Sequence, residues 1–211
     1  MDSFLSTLAI PSEFGSITEI SEGNAPFILL ILDVPVKYDT QKDIAAVLEH
    51  LIQKYGLYLV LVEGGSKNDS LAHLRSTATP EKRRQVADQF LQEGKISGEN
   101  YLDIVSDYNF LVYGVENPDL YNADVFTRDP RISFKREEAM VENSLKRIKE
   151  FNVNFAVLIA GGWHKPGLTA LLRQKQIAYA IIVPKHHAFT KDDRKRMDKV
   201  LQETFIPMKK E

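Results

Sequence analysis

Three carboxylates and one imidazole stand at the ends of apolar runs. Asp33 closes FILLILD (27–33), Glu63 closes LYLVLVE (57–63), Glu116 closes FLVYGVE (110–116), and His164 follows FAVLIAGGW (155–163). These are the side chains that move protons or hold a metal ion near neutral pH, so on a common rim they would make a site. The GGWH at 161–164 is the sharpest local signal. Paired glycines let a strand turn tightly and let a ligand approach the main chain. His164 then falls at the mouth of a helix opened by Pro166, where unpaired N–H groups favour an anion and depress a histidine's pKa. A neutral imidazole, fit for metal ligation or for use as a base, is the expectation. The plainer alternative is a strand-to-helix turn with Trp163 and His164 packed over it.

The other candidates carry similar pairs of readings. Glu63, before Gly64 and Gly65, is either a site carboxylate or a solvated strand end. Asp33, before Val34 and Pro35, is either a site acid or the start of a turn. Glu116 precedes the turn signal Asn117–Pro118–Asp119. Arg136, Met140 and Asn143 share one stripe of a long helix, and Arg136 has the fork to clamp a carboxylate. Pattern alone favours a surface salt bridge for it. His50 lies on a polar helix side, and His73 sits in a loop or short helix. His186 and His187 follow the fifth strand and reach the same rim, with exposure the simpler reading.

These residues are positioned by short Val-, Ile- and Leu-rich runs alternating with helix-period segments. That pattern marks buried parallel strands. Strands are expected at 27–33, 58–63, 109–115, 154–160 and 178–183, with a short edge strand at 15–20 in an extended lead-in of residues 1–25. Helices are expected at 40–55, 81–93, 97–105, 132–151, from Pro166 to 174, and at 190–203, where Thr190 and Asp193 form a capping box. Residues 64–80 and 116–130 carry no clear pattern. Tyr121, Phe126, Arg128 and Arg131 in the latter have the composition of an interaction surface, or simply pack over a sheet end. The prediction is one α/β domain over 1–211, a three-layer sandwich with a mostly parallel central sheet of about five strands and helices on both faces. Residues 185–211 form its C-terminal helix and tail. Parallel strands send all their ends to one edge, and sites of open α/β sheets lie outside that edge.

Composition narrows the function classes. A formal charge of −2, from 27 basic and 29 acidic residues, argues against nucleic-acid binding. No apolar run is long enough to span a bilayer, and the N-terminal MDSFLSTLAIPSEFG lacks the basic start of a secretory signal. With no cysteine there is no disulfide and no thiolate ligand, so a metal would need His, Asp, Glu or water. A cytoplasmic location is the default expectation.

Motifs across most of the chain resemble uncharacterised bacterial relatives of the Tiki/TraB, haem-uptake and erythromycin-esterase-like superfamily. The carriers are ILLILDVPVKYDTQ (28–41), LVLVEGG (59–65), FLQEGKISGENYL (90–102), YGVENPDLY (113–121), KREEAMVENSL (135–145), VLIAGGWHKPG (157–167) and IAYAIIVP (177–184). The resemblance implies that Glu63 takes the role of the glutamate after the second strand, Arg136 and Asn143 that of the Arg/Asn helix, and His164 with Gly161 that of the later G-x-x-H. The superfamily's early histidine is missing, because Pro35 stands two residues beyond Asp33. Three readings follow. A metal-dependent hydrolase would use Glu63 and His164, with Asp33 or Glu116 completing a divalent-metal set of carboxylate character. A non-catalytic member would use the retained fold for binding or assembly, as a homo-oligomer or partner subunit, and the lost histidine favours this one. A haem- or tetrapyrrole-binding protein would line an apolar pocket with Trp163, His164 and Tyr121.

Overall fold

The run at 27–33 has no polar residue before Asp33, and a strand of that kind must be covered on both faces. In the computed structural model, which describes residues 7–124, 127, 129–204 and 208, it lies in strand β2 (Asn24–Asp33), with Ile28 to Ile31 fully buried. The remaining strands are β1 (Gly15–Ser21), β3 (Leu59–Val62), β4 (Leu111–Gly114), β5 (Phe155–Gly161) and β6 (Ile177–Pro184). Together they form a six-stranded sheet in the order β1-β6-β2-β5-β3-β4, parallel except where β1 pairs antiparallel with β6. The short edge strand joins the main sheet, which makes six strands where about five were expected.

Seven helices follow among the described residues: α1 (Tyr38–Tyr55), α2 (Pro80–Gln92), α3 (Gly98–Val105), α4 (Pro118–Asp124), α5 (Pro130–Glu150), α6 (Lys165–Gln174) and α7 (Lys191–Thr204). Alternate residues of each strand serve opposite layers. Leu29, Ile31, Val60, Val62, Val157 and Ile159 pack in one core with the apolar stripes of α1 to α3. Ile28, Leu30, Leu59, Leu61, Ala156 and Leu158 pack in a second core with Met140, Val141 and Ile148 of α5 and Leu168, Leu171 and Leu172 of α6. Each fully buried Leu, Ile or Val adds roughly 1.5–3 kcal/mol, so the two cores dominate stability. The chain is the expected three-layer α/β sandwich.

Local chemistry sets the helix ends. Gly56, at φ 69°, stops α1 in a left-handed turn, its N–H donating to Ile52 O. Asp129 accepts from Arg131 N at the start of α5, and Thr190 and Asp193 bond reciprocally at the start of α7. The unpatterned stretch from 116 holds α4, whose first N–H groups at Asp119 and Leu120 donate to Asn117 Oδ1. Phe126 and Arg128 of the expected interaction surface lie outside the described residues, as do residues 1–6 of the N-terminal segment.

Connectivity makes the crevice. The chain leaves β2 toward α1 on the first face and leaves its neighbour β5 toward α6 on the second. Diverging exits open a gap at the carboxyl ends of adjacent strands. Asp33 is in register with Gly161, and Glu63 N donates to Ile159 O at 3.0 Å, so these three strand ends are level. Beyond Glu63 the chain doubles back along the outer edge of β4, with Gly114 N donating to Lys67 O at 2.8 Å and Asp69 N to Val112 O at 2.9 Å. A Cβ on Gly114 would overlap the Gly65 backbone, so glycine is required at that crossing.

Candidate functional site

Glu63, Arg136 and His164 meet at this rim. Arg136 rises from the first third of α5 and is 4% exposed. One of its terminal nitrogens, Nη2, donates to Glu63 Oε1 at 3.0 Å and to Glu116 Oε1, and its Nη1 donates to Asp124 Oδ2 at 3.1 Å. The guanidinium also lies 5.1 Å from the centre of the Tyr121 ring. Arg136 is thus a buried cross-brace and not the surface pair that helix periodicity favours. Burial alone would lower its pKa, but the carboxylate partners outweigh that and raise it further.

His164 closes a single 3-10 turn (Gly162–His164) between β5 and α6 and is fully buried. Its Nδ1 pairs with Glu137 Oε1 at 2.9 Å. The other nitrogen, Nε2, is 3.3 Å from Glu63 Oε1, a charge contact without hydrogen-bond alignment. Burial alone would lower the imidazole pKa, but the two carboxylates outweigh it and raise it to about 9. The expected depression by the helix N-terminus is therefore corrected: the two carboxylates favour the charged form of the imidazole at neutral pH. Helix-end effects are worth about 0.3–1 kcal/mol and fall below two close carboxylates in low dielectric.

Glu63 is pushed up by burial, yet His164, Arg136 and the Gly161 N–H, which donates to Oε2 at 2.8 Å, together bring it down to about 2. Burial pushes Glu116 up to about 7 against the opposing pull of Arg136. Asp33 is also pushed up to about 7, by burial first and by the charge of Glu99 second, and Gln41 Nε2 donates to it at 2.6 Å. Gln41 also accepts from Gly98 N at 2.8 Å, which ties the end of β2 to the start of α3.

Two clefts open beside this network, with Trp163 in the wall of both. The first, of about 390 Å³, is lined by Asp33, Pro35, Glu63, Glu99, Tyr121 and Arg136 among others. The second, of about 670 Å³, includes Asp33, Glu137, His164, His187 and Phe189. Tyr121 lines only the first and His164 only the second, so the trio named for a tetrapyrrole does not share one pocket. The two glycines of GGWH differ. A Cβ on Gly161 would overlap the Trp163 indole, whereas Gly162 has open space, so the room at Gly161 is filled from within the chain and not left to a ligand.

Asn143 does not join the site. It donates to Val115 O at 2.9 Å and lines a separate small cleft with Glu116, Lys146 and Arg147. Nor do Asp33, Glu63, Glu116 and His164 assemble as a ligand set, since among the described residues no three His, Asp or Glu side chains are grouped to hold one metal ion. The reason is visible at the centre: the Arg136 guanidinium occupies the position between Glu63 and Glu116 that a cation would take. Of the remaining histidines, His50 contacts Ala9 O and His186 contacts Asp43, both at 3.0 Å.

Glu137, Asp124 and Gln41 went unnoticed in the sequence. Only Glu137 left a trace there. Gly167, inside α6, is a residue that costs a helix about 1 kcal/mol relative to alanine, and a Cβ there would overlap the Glu137 carboxylate. Among the described residues no helix is long and apolar enough to cross a membrane. Comparison of the chain with protein-family models, with curated proteins and with solved structures finds no match.

Proposed function

We propose that this chain is a non-catalytic member of the hydrolase-like superfamily it resembles, and that its rim serves binding, as a subunit of a larger assembly or for a ligand of its own. The observation that carries this reading is the state of His164. A general base must be neutral and reach its proton across a hydrogen bond. Here the imidazole is buried, both nitrogens face carboxylates, and its pKa lies well above neutrality. Arg136 is likewise saturated by Glu63, Glu116 and Asp124, leaving little of it for a developing negative charge. Pro35, on the wall of the first cleft, has no side chain able to ligate a metal or move a proton.

The test is turnover of ester and peptide substrates by the intact protein, beside Glu63→Gln and Pro35→His. Background rates for the wild type are expected, and activity arising only in Pro35→His would identify the lost histidine as the sole defect. Wild-type turnover abolished by Glu63→Gln would overturn the reading. A residual hydrolase is the second reading, favoured by one observation: Asp33, at about 7, is poised to exchange a proton near neutral pH on the wall of both clefts. Loss of such turnover in Asp33→Asn would select it.

A further inference from the structure

The first cleft has an acidic wall whose carboxylates are not closed into ion pairs. Asp33 ends β2, Asp69 lies on the segment returning along β4, and Glu99 stands in the first turn of α3, and all three line the cleft. Among the described residues none of the three forms an ion pair. Asp33 receives a neutral amide from Gln41, Glu99 Oε1 receives the Ser97 hydroxyl, and Asp69 has the Asn100 amide beside it and feels the charge of Lys67 without an ion-pair contact. Glu99 is 6% exposed, and its Oε2 accepts no hydrogen bond. Asp124, on the same cleft and 1% exposed, also keeps an unpartnered oxygen, Oδ1. A buried carboxylate without a partner is costly, so it draws either a proton or a cation. Charge repulsion along the row, Asp33 with Glu99 and Glu99 with Asp69, adds to that demand.

The cleft's own cations are committed elsewhere. Lys95 Nζ is 2.6 Å from Glu93, and Arg136 is shared by three acids. A single metal ion does not answer the need, because no three acidic or histidine side chains among the described residues are grouped around one point. Separated carboxylates suit separated ammonium groups. The same cleft is also lined by Val36, Ile96, Met197 and Leu201, which suits methylene chains. A cleft of about 390 Å³ falls in the range of small-molecule sites.

Resting on the binding reading above, we propose that this cleft takes an organic ammonium ion, a linear polyamine being the simplest, with its nitrogens on Asp33, Asp69 and Glu99 and its carbon chain on the apolar wall.

Calorimetric titration of the full chain at low ionic strength tests this. Spermidine and 1,5-diaminopentane are the probes, with pentane-1,5-diol and magnesium chloride at matched ionic strength as controls. Saturable binding is expected for the triamine, weaker binding for the diamine, and none for either control. Glu99→Gln and Asp69→Asn should each weaken spermidine by roughly tenfold or more, as loss of a charge-assisted bond implies. Both variants should melt at or above the wild-type temperature, which separates lost binding from lost folding. Equal binding of magnesium or the diol, or unchanged spermidine affinity in Glu99→Gln, would overturn the proposal. Hydrolase turnover measured on the same samples bears only on the non-catalytic reading. Absent turnover with absent amine binding removes the amine alone.

Discussion

A buried cation shared by three acids is more a fastening than a tool. Removing Arg136 leaves Glu63, Glu116 and Asp124 facing one another, so Arg136→Met should cost about 3–5 kcal/mol, read from urea unfolding. His164 makes a pH signature. Its folded pKa of about 9 lies above the ordinary 6.5, so its stabilising contribution is complete below about 6.5 and fades as pH climbs through 9. The stability difference between wild type and His164→Asn should therefore shrink across that window. Glu63 acts in the opposite direction. Held at about 2 against 4.5, it stabilises above 4.5 and loses that contribution as pH falls through 2. Asp33 opposes folding once ionised, because its pKa is raised to about 7 from 3.8. Asp33→Asn should thus gain stability above about pH 7 and little below about pH 4, measured by thermal unfolding.

At the scale of elements, α6 and α5 are fitted to each other through a single missing methyl group. Gly167→Ala would drive Glu137 away from His164, with an expected loss of about 1–3 kcal/mol and a fall in the His164 pKa measurable by NMR. Gly162→Ala, in open space, should stay within about 0.5 kcal/mol of wild type. The contrast explains what was legible in the sequence. Strand ends were readable because apolar runs and chain direction set them, and so Glu63 and His164 could be placed on one rim. Arg136 could be assigned to a helix stripe, but its burial depends on how far α5 overhangs the sheet, which periodicity does not report. α4 leaves no periodic mark because seven residues carry too little apolar repeat, although Asn117 before Pro118 is a helix-start signal. The charge state of His164 is not legible in the sequence because its decisive neighbour, Glu137, comes from 27 residues away.

Across the whole molecule, firmness is unevenly distributed. The central strands β2, β5 and β6 are buried on both faces. By contrast, Met197 is the one buried side chain among the described residues of α7, and its ties include Lys37 Nζ, which donates to Ala188 O at 2.6 Å just before it and lies 3.9 Å from Asp193, and Arg196, which donates to Gln92 O. Hydrogen exchange should therefore release α7 well before β2, in a local opening that leaves the sheet intact. Because Met197 lines both clefts, that opening would widen both mouths together. The indole that stands between the clefts has one more use. Trp163 is the chain's sole tryptophan, about half exposed and stacked over Gly161. Intrinsic fluorescence excited at the red edge of indole absorption would therefore come from that one ring, a label-free optical gauge of whatever enters either chamber.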